Sequence, residues 1–381
     1  MNRKKYYFDY TANTPLDPQV LETLRTFYAE HYGNSAGIHA FARDMKFHLD
    51  ESRLFFAQKI GAQSSEIIFT ASATESNNTV LKGLARHYPD KKHLLISAVE
   101  HASVYKTAHV LQDFGLKVEV VPVDGQGRVD PDEIKKRLRP DTLLVSVMWV
   151  NNELGTIQPI QEIGKICRAQ GVFFHCDAVQ GFAKMPLNVH EAAIDFLTAS
   201  AHKIYGPLGV GLLFIRDGLK IEPLLHGGGH ENGLRSSTVN VPGIVAFQKA
   251  LQIYVQNHQK EWQRVLDFRE KIISYLQKNI EGMRLNSPSE GIPHILNVSF
   301  EKVNGELLAI SLDKRGIALS TGSACSSGKV IKSRILQAIG VPAALQGGTI
   351  RISLGRFTTQ DEVDYLLEQL VMAVKKVREI S

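Results

Sequence analysis

Between residues 60 and 215, six short runs alternate with segments of helix length: EIIFTA, HLLISAVEH, TLLVSVMWVNN, VFFHCDAVQ, IDFLTASAHK and GVGLLFIR. Several are apolar at consecutive positions rather than at every second one. A strand with one wet face alternates, so continuous apolarity demands burial on both faces, with helices covering a sheet above and below. Parallel neighbours also need long crossover connections, which the intervening segments supply. The chain is therefore predicted to be α/β with a mostly parallel sheet. Crossover helices are expected after Thr74 and from Ile160 to Gln170.

The pattern changes near Val241. Val265, Phe268, Ile272 and Leu276 recur at helical spacing, and no proline follows Pro242 before Asn279, so one long helix is expected over 241–279. Beyond it come a strand (HILNVSFE), a helix (GELLAISLDKRG), the small-residue stretch IALSTGSACSSG, a strand (TIRISLG) and a last helix. That helix opens on Thr359-Gln-Asp-Glu362, a capping box. The expected organisation is an N-terminal segment (1–15), a large α/β domain (16–260) and a smaller C-terminal α+β domain (261–381).

Bulk composition removes several function classes. A net charge of +5 over 381 residues, with bases and acids interspersed, argues against a nucleic-acid protein that binds by neutralising phosphates. No run approaches the roughly 20 apolar residues of a membrane span. The start, MNRKKYYFDYTANTP, has basic residues without the apolar core of a secretory signal. Three cysteines, Cys167, Cys176 and Cys325, include no CxxC pair, so neither a disulfide framework nor a zinc site is expected. The expectation is a cytoplasmic protein.

Chemistry gathers where the strands end, which is where open α/β sheets bind ligands. EIIFTA leads into Ser72-Ala73-Thr74, HLLISAVE ends at His101, and TLLVSVMWV ends at Asn151-Asn152. VFFHC ends at Asp177 and runs on to Gln180, while IDFLTA ends at Ser200-Ala-His202-Lys203. Taken singly, each residue has an ordinary use as a cap, a turn former or a structural hydrogen-bonder. Together they suit pyridoxal phosphate: a lysine to condense with the aldehyde, and an acid to pair with the pyridinium nitrogen. Hydroxyls and N–H groups at the helix start after Ser72 suit a phosphate. Neither GxGxxG after a strand nor GxxxxGK[ST] competes with this reading.

ATESNN, EHAS, VNNELGTIQPI, DAVQ, SAHKIYGP, GGGHENGLRSST, STGSACSSG and RISLGR occur in the order seen in cysteine desulfurases of the NifS/IscS type, which the chain resembles over nearly its whole length. The resemblance implies a fold-type I pyridoxal-phosphate transferase with a large, mostly parallel seven-stranded sheet and a small C-terminal domain. It implies a homodimer that turns L-cysteine into L-alanine and a persulfide on Cys325, for an iron–sulfur scaffold or a sulfur carrier. Lys203 would hold the cofactor and Asp177 its ring nitrogen. His101 would stack on the ring and move protons, helping to deprotonate the substrate thiol. Asn152 and Gln180 would bond the ring oxygen, and Ala73, Thr74, Ser200 and His202 the phosphate. Thr238 would reach the partner subunit's phosphate, and Arg351, with Asn34, the substrate carboxylate. Ser237 stands where the family commonly has glycine. Two other readings stay open on sequence alone: a selenocysteine lyase or related cysteine lyase, and a non-catalytic cofactor-bearing scaffold.

Overall fold

The computed structural model describes residues 4–321 and 333–380. After a short strand β1 (Tyr6–Tyr7), seven strands form the main sheet. These are β2 (Ile67–Thr70), β3 (His93–Ser97), β4 (Lys117–Val121), β5 (Thr142–Ser146), β6 (Phe173–Asp177), β7 (Phe196–Ser200) and β8 (Gly211–Ile215). Their order is β2-β8-β7-β6-β5-β3-β4. Strands β3 to β7 pair in parallel, whereas β8 runs antiparallel to both β7 and β2. The six runs read from the sequence are six of these strands. The seventh, β4, was not anticipated: it lies at the sheet edge, where Lys117 and Val120 are exposed, so it lacks a continuous apolar run.

Alternate strand residues feed two separate cores, as a pleated sheet with both faces covered requires. Ile67, Phe69, Leu95, Val145, Phe174 and Leu197 join one, while Ile68, Leu94, Ile96, Leu144 and Phe196 join the other. Helices α1 (Pro18–Glu30) and α2 (Ala40–Ile60) precede the sheet. The crossover helices α3 (Ala73–His87), α4 (Ala102–Val110), α5 (Pro131–Arg137) and α6 (Ile160–Ala169) lie between its strands.

One helix, α7 (Val241–Asn279), spans the length read from its periodicity. Its first half buries Val241, Ile244, Phe247, Leu251 and Tyr254 with the large sheet. Its second half buries Val265, Phe268, Ile272 and Leu276 in a smaller core. That core is built on β9 (Met283–Leu285), β10 (Ile295–Phe300), β12 (Ser320–Thr321) and β13 (Thr349–Ser353), in the order β12-β13-β10-β9. Helices α8 (Gly305–Asp313) and α11 (Gln360–Arg378) cover it, and the short α9 (Arg334–Ala338) and α10 (Ala343–Gln346) precede β13. Thr359 and Glu362 form the expected capping box of α11. The N-terminal segment joins this small core. β1 pairs in parallel with β11 (Ile317–Ala318), and Phe8 is fully buried there. No helix among the described residues is long and apolar enough to cross a membrane.

Ser237 takes a φ of 124°, a region that favours glycine. Such a residue costs of order 1–3 kcal/mol. Ser237→Gly is therefore expected to stabilise the chain by about 1 kcal/mol, net of the greater freedom glycine gives the unfolded state. A denaturant titration in which the midpoint fails to rise would contradict this.

Candidate active site

Four of the main strands bring their polar ends to one cavity of about 350 Å³, and the helix start after β2 closes it. Ala73, Thr74, His101, Asn152, Asp177, Gln180, His202, Lys203 and Arg351 all line it, as the sequence reading expected. Ser200 stands one layer behind, with its Oγ 2.9 Å from His202 Nδ1. Asn34 does not line the cavity: it is exposed, and its Oδ1 accepts from Ala36 N at 3.0 Å in the α1–α2 loop. Thr238 is also exposed and outside this lining. Cys325 lies outside the described residues. A larger hollow of about 770 Å³, between Phe182–Leu187 and α7, is lined by Lys59, His258 and Lys260 but by no acid that could pair with a ring nitrogen.

Lys203 ends a short 3-10 turn after β7, and Tyr205, two residues on, takes a left-handed φ of 67°. That strained turn is fixed from outside, since Tyr205 N donates to Thr14 Oγ1 at 2.8 Å and Arg356 N donates to the Tyr205 hydroxyl at 2.6 Å. The Lys203 ammonium donates to the carbonyls of Thr11 (2.7 Å) and Ala12 (2.6 Å). Desolvation, with the Arg351 charge nearby, pushes its pKa down to about 8. A lysine so placed is partly a free amine near neutral pH, which condensation with a carbonyl needs.

Asp177, at the end of β6, is almost fully buried. Its Oδ1 accepts from Val179 N at 3.1 Å, and its Oδ2 accepts from Asn77 Nδ2 at 2.9 Å. The same Asn77 amide donates to Ser103 Oγ at 2.8 Å, and that hydroxyl lies 2.8 Å from His101 Nδ1. Ser103 N also donates to His101 Nδ1, at 3.2 Å, in the N-cap of α4. These bonds make Nδ1 an acceptor, so the neutral ring carries its proton on Nε2. Desolvation lowers the pKa of His101; Asp177 opposes the shift, and Lys203 and Arg334 reinforce it.

Anion-binding groups collect on the other sides. In the first turn of α3, Ser72 Oγ takes Glu75 N at 3.1 Å and Ser72 O takes Ser76 N at 3.1 Å. The N–H groups of Ala73 and Thr74 have no partner within the helix, so this end of the cavity suits a phosphate. Burial, then Lys203, drives the His202 pKa down to about 4, which leaves its ring neutral. Arg351 donates to Asn152 O (3.1 Å), Asp9 Oδ1 (2.8 Å) and Ser320 Oγ (3.1 Å). Its Nε and Asn152 Oδ1 are buried without a partner, as they would be in a cavity built to enclose a polar ligand.

Sequence reasoning passed over Thr11, Ala12 and Asp9, which lie in the irregular stretch between β1 and α1, and Asn77 and Ser103, which look like ordinary helix residues. It also passed over Glu100, beside His101. Glu100 is fully buried, and its Oε1 accepts from Ser97 Oγ (2.6 Å) and Met148 N (2.8 Å). Oε2 has no partner, and desolvation raises the pKa to about 8. An acid protonated to about pH 8 when folded, but ionised from its ordinary 4.5 when unfolded, drains stability as pH rises between those values. Glu100→Gln keeps both acceptor bonds without that ionisation. Its melting temperature is expected to fall less between pH 5 and 8 than that of the wild type. Parallel pH profiles would contradict the assignment.

A lysine, an acid and a histidine at the carboxyl ends of a mostly parallel sheet, with a small domain behind, define a pyridoxal-phosphate-type transferase fold. The chain belongs to the Aminotransferase class-V family, whose pattern it matches over residues 6–366. Within that family it is a cysteine desulfurase of the IscS/NifS type. It is 45% identical over 381 residues to cysteine desulfurase IscS of Dictyoglomus turgidum, which covers 100% of this chain and 97% of that one. Cysteine desulfurase IscS of Methanosarcina thermophila is 40% identical over 380 residues, 99% of this chain and 94% of its own. Among solved structures, a NifS-like protein superposes with a TM-score of 0.92 at 38% identity, covering 98% of this chain and 100% of that one. SspA in complex with cysteine superposes with a TM-score of 0.83 at 34% identity, covering 93% and 100%.

Proposed function

We propose that this desulfurase holds pyridoxal 5'-phosphate on Lys203, converts L-cysteine to L-alanine, and keeps the sulfur as a persulfide on Cys325. The carrying observation is a desolvated lysine with its pKa near 8, sharing one cavity with the buried acid Asp177. The cofactor, when bound, supplies an electron sink for the bond changes at the substrate. Asp177 would pair with its ring nitrogen, Asn152 and Gln180 would face its ring oxygen, and Ala73, Thr74, Ser200 and His202 would hold its phosphate.

Arg351 grips the substrate carboxylate through its bidentate fork. The Lys203 amine, once released, accepts the proton from the substrate Cα. His101 begins as a proton donor at Nε2, and it takes the substrate thiol proton there only in the other tautomer, with its own proton on Nδ1 facing Ser103 Oγ. The Cys325 thiolate attacks the substrate sulfur. The carbon–sulfur bond breaks with its electron pair left on carbon, one proton goes to Cβ and another returns to Cα to complete alanine, and a sulfur–sulfur bond remains on the enzyme. Exposed Thr238 fits a contact across a homodimer, where it would reach the partner's cofactor phosphate. The persulfide passes in the cytoplasm to an iron–sulfur scaffold or a sulfur carrier for thiolation.

The test is mass spectrometry after exposure to cysteine. One added sulfur atom is expected on the peptide that contains Cys325. Cys325→Ser should carry none and should lose alanine formation by ~10²-fold or more. Undiminished sulfur release from that variant would reject the persulfide route in favour of a simple lyase.

A further inference from the structure

We propose that His31, Asp44 and His48 form a binding site for one divalent transition ion of borderline softness, zinc foremost, which staples α1 to α2. Nothing in the desulfurase reaction uses these residues, and none of them lines the catalytic cavity. One ligand atom from each can be chosen so that all three lie within 4.8 Å of one another. Asp44 and His48 are one turn apart on α2 and so share a face. His31 is the C-cap that follows α1, its N–H donating to Phe27 O at 2.9 Å.

The spacing fits an ion. Two ligands at about 2.0–2.1 Å from a tetrahedral zinc lie about 3.3 Å apart. His31 Nδ1 is 2.6 Å from Asp44 Oδ2, and His48 Nε2 is 3.7 Å from the other oxygen of the same carboxylate, Oδ1, so both imidazoles face Asp44. All three chosen atoms lie within 4.8 Å of one another, so side-chain shifts of about an ångström would bring them to that spacing. A plain ion pair needs only His31 and Asp44. The second imidazole has no role in that pair, yet it is held against it.

The rings are also oriented in advance. Buried Phe27 stacks on His31 with centroids 4.5 Å apart and meets His48 edge-on at 5.0 Å. Phe47 meets His48 from another side at 5.5 Å. The three ligand side chains stay 27%, 45% and 29% exposed, so an ion can reach them and keep water in its remaining position. Two imidazoles and a carboxylate select zinc, copper(II), nickel or cobalt over magnesium or calcium. Cysteine spacing could not have revealed this site, because its ligands are thirteen and four residues apart and meet only when two helices pack.

The test is titration of the holoenzyme with zinc chloride, with cobalt(II) as the spectroscopic probe. One ion per chain is expected at this site, with a melting temperature raised by a few degrees at about hundredfold excess over the dissociation constant. The cobalt spectrum should show d–d bands of a nitrogen–oxygen site without a thiolate charge-transfer band. His31→Ala and His48→Ala should each weaken binding by about tenfold or more, at least the cost of losing an outer partner. His48→Gln leaves the His31–Asp44 pair intact and serves if His31→Ala does not fold. Unchanged affinity in His48→Gln, or a cobalt spectrum dominated by thiolate, would overturn the proposal. Neither result bears on the persulfide route, which is read on a different peptide.

Discussion

Lys203→Ala is expected to lower alanine formation from cysteine by ~10³-fold or more, because one substitution removes both the covalent anchor and the proton acceptor. The purified variant should lack the visible absorption of a lysine-bound cofactor, and borohydride should fix no cofactor to the chain. Loading has its own pH signature. With a pKa of about 8, roughly a tenth of the amine is neutral at pH 7. Attachment of cofactor to the stripped protein should therefore quicken as pH rises toward 8 and level off above it. Among the described residues the lysine best placed to substitute is Lys184, buried with its pKa lowered to about 7 and its Nζ 3.2 Å from Gln180 O. Borohydride labelling of Lys184 in the wild type would refute the assignment of Lys203.

Asp177→Ala should reduce kcat by ~10²–10⁴-fold while leaving Lys203 able to bind cofactor. The residue has two effects to lose. It presents a buried carboxylate to the cavity, and it accepts from Asn77, whose amide also holds Ser103 and, through it, His101. Removing the acid leaves Asn77 with one donor proton short of an acceptor, at a cost of about 1–3 kcal/mol. The effects separate by variant. Asn77→Ala disturbs the relay but keeps the acid, and should lower kcat by far less. Steady-state kinetics in which both variants lose equally would show that Asp177 acts only by positioning His101.

The strands could be read because burial on both faces writes itself into composition: no polar residue is tolerated inside β5 or β7 except where a hydroxyl finds a partner. Edge strand β4 escaped because Lys117 and Val120 are exposed and Glu119 is charged, so this edge leaves no continuous apolar run. The strand-end residues could be read for a related reason. Lys203, Asp177 and His101 interrupt apolar runs at points where a turn former would suffice. Glu100, Asn77 and Ser103 could not, since each is of a type common in turns and helices, and only their contacts give them meaning.

The order of apolar and polar residues along the chain fixed the α/β class, the long helix 241–279 and the identity of the residues at the strand ends, because local periodicity and burial are properties of neighbours in sequence. Distance between remote segments is not such a property. Packing alone placed Thr11 and Ala12 against Lys203, moved Arg351 from the small domain into the cavity, left Asn34 outside it, and set His31 beside His48. Desolvation, which sets the protonation of Lys203, His202 and Glu100, also arises only when distant elements close over a side chain.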